Sequence, residues 1–460
     1  MFDELYRRVF PLYVNAFERF MQADDRPHYP MCFVITMDFF GQLQRPAFEA
    51  AIRQTLDRHR ILQCLMEHSK KNRLCWVHHP ELFPYLNWGK LGEQLDCPQG
   101  DYINLRNEIG LRIWVRQGAE RVEITFYFHH SCVDGIAAHR FMGDFAANYT
   151  NQLSPDQPAK LNELRPELLK TRTRRQHLAG QSSDHPHTRW YAIKYLMKMT
   201  ILGTDAIRRP RRKYSAELLS PRFGVYWQRF DQDDYKRLRD AAIQLGVTVN
   251  DILVAQTFRT LFAWNEKQSK NGRRREVRIL MPVDLRNRGD DVMPCTNMAS
   301  YNFLTRHPRQ MEGDPVKFLQ AIRKETAEIK ARGMGSAFID AIERAATRNF
   351  YLRMALPSFR CTATVVLTNV GDPTRRWTAT LPRTKGEVHC HDLRLDDMTG
   401  CPPLRPNTNV TIAITTYLRR LTVGFRCDPH FYTQQDTEEI LQHYMEGIRE
   451  WIRLAEAETA

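Results

Sequence analysis

Apolar residues along this chain follow two rhythms. Met31 to Phe40 is a run of apolar, β-branched and aromatic residues ending at Gly41, which predicts a strand. Pro46 then opens a stretch in which Phe48, Ala51, Ile52, Thr55 and Leu56 share one face of a helix. Val122, Ile124, Phe126 and Phe128 alternate with Glu123, Thr125, Tyr127 and His129, the period-two pattern of a strand with one buried face. Past Asp134 and Gly135 the spacing changes to Ala138, Phe141, Met142, Phe145 and Tyr149, an apolar helical stripe. The run His129 to Gly135 therefore falls on a strand-to-helix junction.

The second half repeats this style. Phe223 to Phe230 predicts a strand, and Tyr235, Leu238, Ala242 and Leu245 a helix closed by Gly246. Thr248 is the expected cap of a further helix, with Asp251 near the positive end of its dipole. Strands are expected at Glu276–Met281, Thr362–Leu367, Asn409–Tyr417 and Leu421–Arg426, the last two joined by a turn at Leu418–Arg420. A final helix is expected from the capping pair Asp436 and Glu439, with the stripe Leu441, Tyr444, Ile448 and Trp451. Strands alternating with helices in both halves predict two layered α/β lobes.

Between Leu153 and Tyr226 the pattern lapses. Pro155, Pro158 and Pro166 lead into the basic, polar stretch Thr171–Thr188, which has few core-forming residues. Inside this connection Trp190, Ile193, Met197 and Ile201 form one helical face, followed by the basic run Arg208–Lys213. Such a helix is expected to pack on its own protein with a solvated basic end; weak contact with an anionic membrane surface is the alternative. The expected division is an N-terminal lobe over 1–165, a basic linker and crossover helix over 166–220, and a C-terminal lobe over 221–460.

Composition narrows the class. With 460 residues, 42% hydrophobic and 26% charged, the chain has room for more than one core. The opening Met1–Arg26 is interrupted by charges, and no run approaches the roughly 18 apolar residues of a membrane span, so a cytoplasmic protein is expected. Ten cysteines without a Cys-X-X-Cys pair argue against disulfide and zinc-ribbon frameworks. The net charge of +14 favours anionic partners. Nucleic acid is not expected, because the aromatic-basic signatures of its common binding modules are missing. A phosphate-bearing acyl carrier fits the same charge.

The residues with the means for chemistry lie at the junction. Imidazole is neutral near pH 7 and suits a general base. His130 shares the parity of Ile124, Phe126 and Phe128, the face expected to be buried, while His129 points the other way, so the two have different tasks. Asp134 followed by Gly135 suits a tight turn whose carboxylate caps the helix or pairs with a distant Arg. A second pair, His78-His79, has nothing catalytic around it. Cys132 as a nucleophile is a rival, weakened because neighbours along one strand rarely bring their side chains together. His389-Cys390-His391-Asp392 with Cys401 supplies ligand types, but the spacing matches no zinc pattern, and no metal is expected.

Residues 129 to 135 match His-His-X-X-X-Asp-Gly, and on that motif the chain resembles acyltransferases of the chloramphenicol acetyltransferase-like fold, which include nonribosomal peptide condensation domains, alcohol acetyltransferases and wax ester synthases. Leu56–Leu62, Thr248–Asp251, Met281–Arg286 and Thr368–Gly371 look like further family segments. Departures are Gln63, where the family often has Arg, the missing Asp-Phe-Gly-Trp-Gly of the plant enzymes, and a loose match at Cys295–Asn297. The resemblance implies two α/β sandwich lobes arranged as a pseudo-dimer with a channel between them. It further implies His130 as general base, His129 as its positional partner, and Asp134 in a structural ion pair for which Arg286 is the candidate. The Gly135 amide is the expected oxyanion donor, and Asn297, Thr368, Asn369 and Gly371 are expected along the channel. No cofactor is implied; an acyl-CoA or phosphopantetheine thioester on an acyl carrier protein is the co-substrate, and a small alcohol or amine the acceptor. Condensation-type amide formation on carrier-bound substrates, or an inactive binding module of the same fold, are the alternatives.

Overall fold

The strand leading into the histidines runs from Arg121 to His129, within a seven-stranded sheet. In this computed structural model, which describes residues 2–173, 204–211, 223–269, 275–346 and 361–459, it pairs antiparallel with Cys32–Phe40 on one side and Leu111–Gln117 on the other. Ile124, Phe126 and Phe128 are fully buried, as expected, but so are Tyr127 and His129 on the opposite face. The alternation does not mark a wet face. Phe126 and Phe128 meet Phe141 of the following helix, whereas Tyr127 meets Phe223 at the entry to the second lobe.

Helix Arg45–Arg58 starts with Pro46 in its first turn and buries Phe48, Ala51, Ile52 and Leu56 completely. Each of the larger side chains contributes about 1.5–3 kcal/mol by leaving water. Phe48 meets Phe145 of helix Gly135–Leu153 edge-on at 5.1 Å, so the two helices form one layer on the sheet.

The second sheet has six strands in the order Ala299–Arg306, Val277–Asp284, Val365–Gly371, Val410–Tyr417, Arg420–Cys427 and Val225–Phe230. Val365–Gly371 is parallel to both its neighbours. The expected caps form where the sequence places them: Thr248 and Asp251 make a reciprocal capping box, and Gly246 follows its helix at φ +66°. The turn after Tyr417 is built from Leu418 and Arg419, both at positive φ without being glycine. The last helix, Gln434–Thr459, departs from expectation. Its cap is Thr433 with Asp436, not Asp436 with Glu439, because the hydroxyl and amide of Thr433 both reach the Asp436 carboxylate.

The two lobes form the pseudo-dimer of α/β sandwiches, but they exchange a segment. Leu393–Cys401 leaves the second half and pairs antiparallel with Cys32–Phe40, bringing Glu387–Cys390 and Arg383–Thr384 with it to the edge of the first sheet. Residues 383–401 thus belong to the first sheet, and the span 221–460 is not confined to one lobe. Gly400 is needed there, since a Cβ would sit 2.4 Å from the Val34 carbonyl oxygen. Back in the second sheet, Thr415 donates to the Met398 carbonyl and Thr422 to Asp397, which also pairs with Arg229. This crossover strand ties the sheets together.

Composition places residues from 166 onward in a linker, yet those up to 173 pack on the first lobe. Arg172 is buried and binds both oxygens of Glu18, each at 2.8 Å. The helix expected over 190–201 lies outside the described residues. Of the basic run after it, Arg208, Arg209 and Arg211 lie against the second lobe, Arg209 over the Phe431 ring. Among the described residues no single helix is long and apolar enough to cross a membrane.

Candidate active site

The junction is set by backbone before side chains enter. His129 ends its strand; the His130 amide still donates to the Met31 carbonyl at 2.7 Å, and the Cys132 amide then turns back to the His129 carbonyl. Asp134 stops the turn by capping helix Gly135–Leu153, its Oδ1 accepting the Ala137 amide at 2.9 Å. The imidazoles diverge. His129 is fully buried; its Nδ1 accepts the Ser131 amide, and its Nε2 lies 3.2 Å from Asp25 Oδ2, out of line for a hydrogen bond. His130 is half-buried, edge-on to Phe33 at 5.1 Å, and forms part of the wall of a cavity of ≈ 190 Å³. The parity expectation therefore separates the pair correctly but reverses their burial, because the strand ends at His129 and the chain turns away.

The cavity lies between the sheets. Phe33 and Ile35 line it from the first sheet, Met398 and Gly400 from the crossover strand, Val283 and Thr368 from the second. Gly135 and Asn369 also face it, whereas Gly371, at φ +68°, is not in its wall. Asn297 touches His130 directly: its Nδ2 donates to the His130 carbonyl oxygen at 2.6 Å and lies 3.4 Å from the ring Nδ1. The shorter contact is the bond and the longer is at the limit of one, so Asn297 grips the backbone under the ring. Burial holds the His130 imidazole below its ordinary 6.5; its own carbonyl, Asp134 and the Val133 carbonyl pull it back up, and His129 pushes it further down. The shift favours the neutral form of the ring.

Asp134 and Arg286 come together in the cavity wall, with Arg286 Nη2 at 2.8 Å from Asp134 Oδ2 and both side chains buried. Burial disfavours the Asp134 carboxylate, but Arg286 and the amides of Ala137 and Met298 outweigh it and hold the group below its ordinary range. Burial likewise opposes the Arg286 cation, and Asp134 with Asp284 more than offsets it. Arg286 has two carboxylate neighbours, Asp284 Oδ1 lying 2.9 Å from Nη1, and it also donates to the Thr296 carbonyl. Every polar position on Asp134 is thus tied to structure.

A second support is legible in sequence only as a family segment. His59, at the end of helix Arg45–Arg58, accepts the Cys295 amide on Nδ1 and contacts Asp144 Oδ2 at 3.0 Å through Nε2. Arg58 donates to the same carboxylate oxygen. This buried group holds the loop ahead of strand Ala299–Arg306 that carries Asn297, two residues past Cys295. Long-range placement, not spacing, creates it.

The rival chemistries find less. Cys132 is fully buried against Gly110, where a Cβ would sit 2.3 Å from its Sγ, and burial followed by Glu18 raises its thiol well above the ordinary value. His389–Asp392 forms a tight strand-to-strand corner, with His391 at φ +57° bound to Ser154. Among the described residues no group of three His, Cys, Asp or Glu side chains is placed to hold a metal ion.

The condensation domain signature matches residues 19–270, and that of the WS/DGAT C-terminal domain matches residues 300–451. Among solved structures the chain is similar to the first condensation domain of the calcium-dependent antibiotic synthetase in complex with a substrate analogue, at 15% identity and TM-score 0.66, covering 96% of this chain and 95% of that one. It is similar to a mutant starter condensation domain of rhizomide synthetase in complex with C8-CoA, at 15% identity and TM-score 0.62, covering 96% and 94%. It is also similar to polyketide synthase associated protein 5 from Mycobacterium tuberculosis, at 15% identity and TM-score 0.62, covering 97% and 98%. No curated protein matches significantly.

Proposed function

The chain belongs to the condensation domain family, and we propose that it moves an acyl group from a thioester, on coenzyme A or an acyl carrier protein, to a hydroxyl or amine with His130 as general base. The observation that carries this reading is the neutral, half-buried imidazole of His130 on the wall of a cavity between two lobes. Donor and acceptor meeting there lose their relative translation before reaction, which lowers the barrier. The acceptor attacks the thioester carbonyl while His130 takes its proton. The tetrahedral oxyanion forms near the Gly135 amide at the positive end of a helix of nineteen residues. Collapse breaks the carbon–sulfur bond, and the imidazolium returns the proton to the departing thiolate. No step needs a metal or a redox group. Whether the product is an ester or an amide depends on the acceptor.

Incubating the purified chain with a panel of acyl-CoA and acyl-carrier thioesters and a panel of alcohols and amines tests the proposal. Acceptor-dependent release of free thiol is expected. No release from any thioester, on either carrier, would refute it.

The pH profile gives a separate check. Because burial lowers the His130 pKa, the base stays neutral as pH falls past the ordinary imidazole value. The acid limb of kcat/KM is therefore expected below about 6.5. A limb well above that value would place the proton transfer on another group.

A further inference from the structure

Among the polar groups of the cavity wall that the acyl-transfer chemistry does not use, His139 and Arg376 stand out. His139 lies one helical turn after Gly135, is 3% exposed, and among the described residues its Nδ1 has no hydrogen-bond partner. A buried nitrogen left unpaired carries an uncompensated desolvation cost unless something fills the space beside it. Arg376 lines the same cavity, is exposed, and makes no ion pair or hydrogen bond among the described residues. Its position is fixed from behind. Trp377 packs so closely on Gly143 that a Cβ there would lie 2.6 Å from its Cγ, and Gly143 is one turn beyond His139 on the same helix.

We propose that Arg376 and His139 bind a carboxylate carried by one of the two reacting partners, making them specificity residues of the cavity. The inference rests on the acyl-transfer reading for the identity of those partners. An unpaired guanidinium offers a fork for two oxygens, and a neutral imidazole adds one donor beside it. Burial first, and Arg376 next, push the His139 imidazole down to about 3 against the pull of Asp134, so the ring is neutral throughout the working range and the charge comes from Arg376. Four residues of helix place His139 about 6 Å along the axis from Gly135. That is close to the reacting carbonyl, whereas the phosphate of a pantetheine arm lies at the far end of a long chain from its thioester. The geometry therefore favours a carboxylate on the acyl group or on the acceptor over a carrier phosphate.

Binding is measured on the full chain carrying His130→Ala, which prevents turnover, by calorimetry and thermal shift. One arm compares succinyl-CoA with butyryl-CoA; the other compares 3-hydroxybutyrate with its methyl ester and β-alanine with its amide. In one arm the carboxylate form is expected to bind at least about tenfold tighter than its neutral counterpart, with Arg376→Gln abolishing the preference and Arg376→Lys keeping part of it. Arg376 is exposed, so these variants fold. Equal or weaker binding of the carboxylate in both arms, or a preference that survives Arg376→Gln, overturns the proposal. Preferential binding in a wild-type chain that releases no thiol would keep this site and remove the acyl-transfer reading. Turnover that favours the neutral substrates would do the reverse.

Discussion

His130→Ala is expected to lower turnover at least about a hundredfold, the usual size of general-base catalysis, while the thermal midpoint stays near that of the wild type. The separation of activity from folding follows from where the anchoring bonds are made. His130 is held by its amide on the Met31 carbonyl and by its own carbonyl under Asn297, and alanine keeps both. The ring adds an edge contact with Phe33, a 3.4 Å approach to Asn297 Nδ2 and contacts with the His130 and Val133 carbonyls, and it is half-buried on a cavity wall. What disappears is the acceptor of the substrate proton. Thiol release and circular dichroism on the same preparation decide the matter, and unchanged turnover in a folded variant would remove His130 from the mechanism.

Asp134→Ala is expected to act the other way round, through stability. It removes a helix cap, the acceptor for the Met298 amide and one of two carboxylates around a buried guanidinium. Breaking a buried pair typically costs 3–5 kcal/mol, and Asp284 remains beside Arg286, so a loss of about 3 kcal/mol is expected. Asp134→Asn keeps a capping oxygen and should lose less. Soluble yield and thermal midpoint should fall together with activity in the alanine variant. A fully stable but inactive Asp134→Ala protein would mean that the carboxylate acts on substrate directly.

The two variants probe different layers of the same junction, and those layers differ in how far sequence reveals them. His129, His130, Asp134 and Gly135 are adjacent in the chain, so strand alternation, a turn and a helical stripe suffice to put them on one corner. The placement of Arg286 beside Asp134 and of Asn297 beneath His130 bridges more than 150 residues, and only family segments suggested it. Burial was harder to read. Tyr127 and His129 look like the polar side of an alternating strand, yet Phe223 covers Tyr127, and Asp25 and Gly110 pack against His129. The exchange of Leu393–Cys401 left no local trace, because Asp396, Asp397 and Gly400 interrupt its apolar pattern and its partner lies near the start of the chain. His139 was legible only as a residue between stripe positions Ala138 and Phe141; its unpaired nitrogen exists only in the folded cavity.

That exchange also sets an order of events during synthesis. The segment Cys32–Phe40, almost wholly apolar, emerges from the ribosome early and can dock on Arg121–His129 once that has been made. Its other side stays open until Leu393–Cys401 has followed, after most of the polypeptide has been translated. For that interval a growing molecule displays an unsatisfied ribbon of main-chain donors and acceptors, the kind of edge onto which a neighbouring nascent chain can add. Dividing the gene between the lobes would make the condition permanent, so the two halves of this protein are not interchangeable parts that fold apart and meet later.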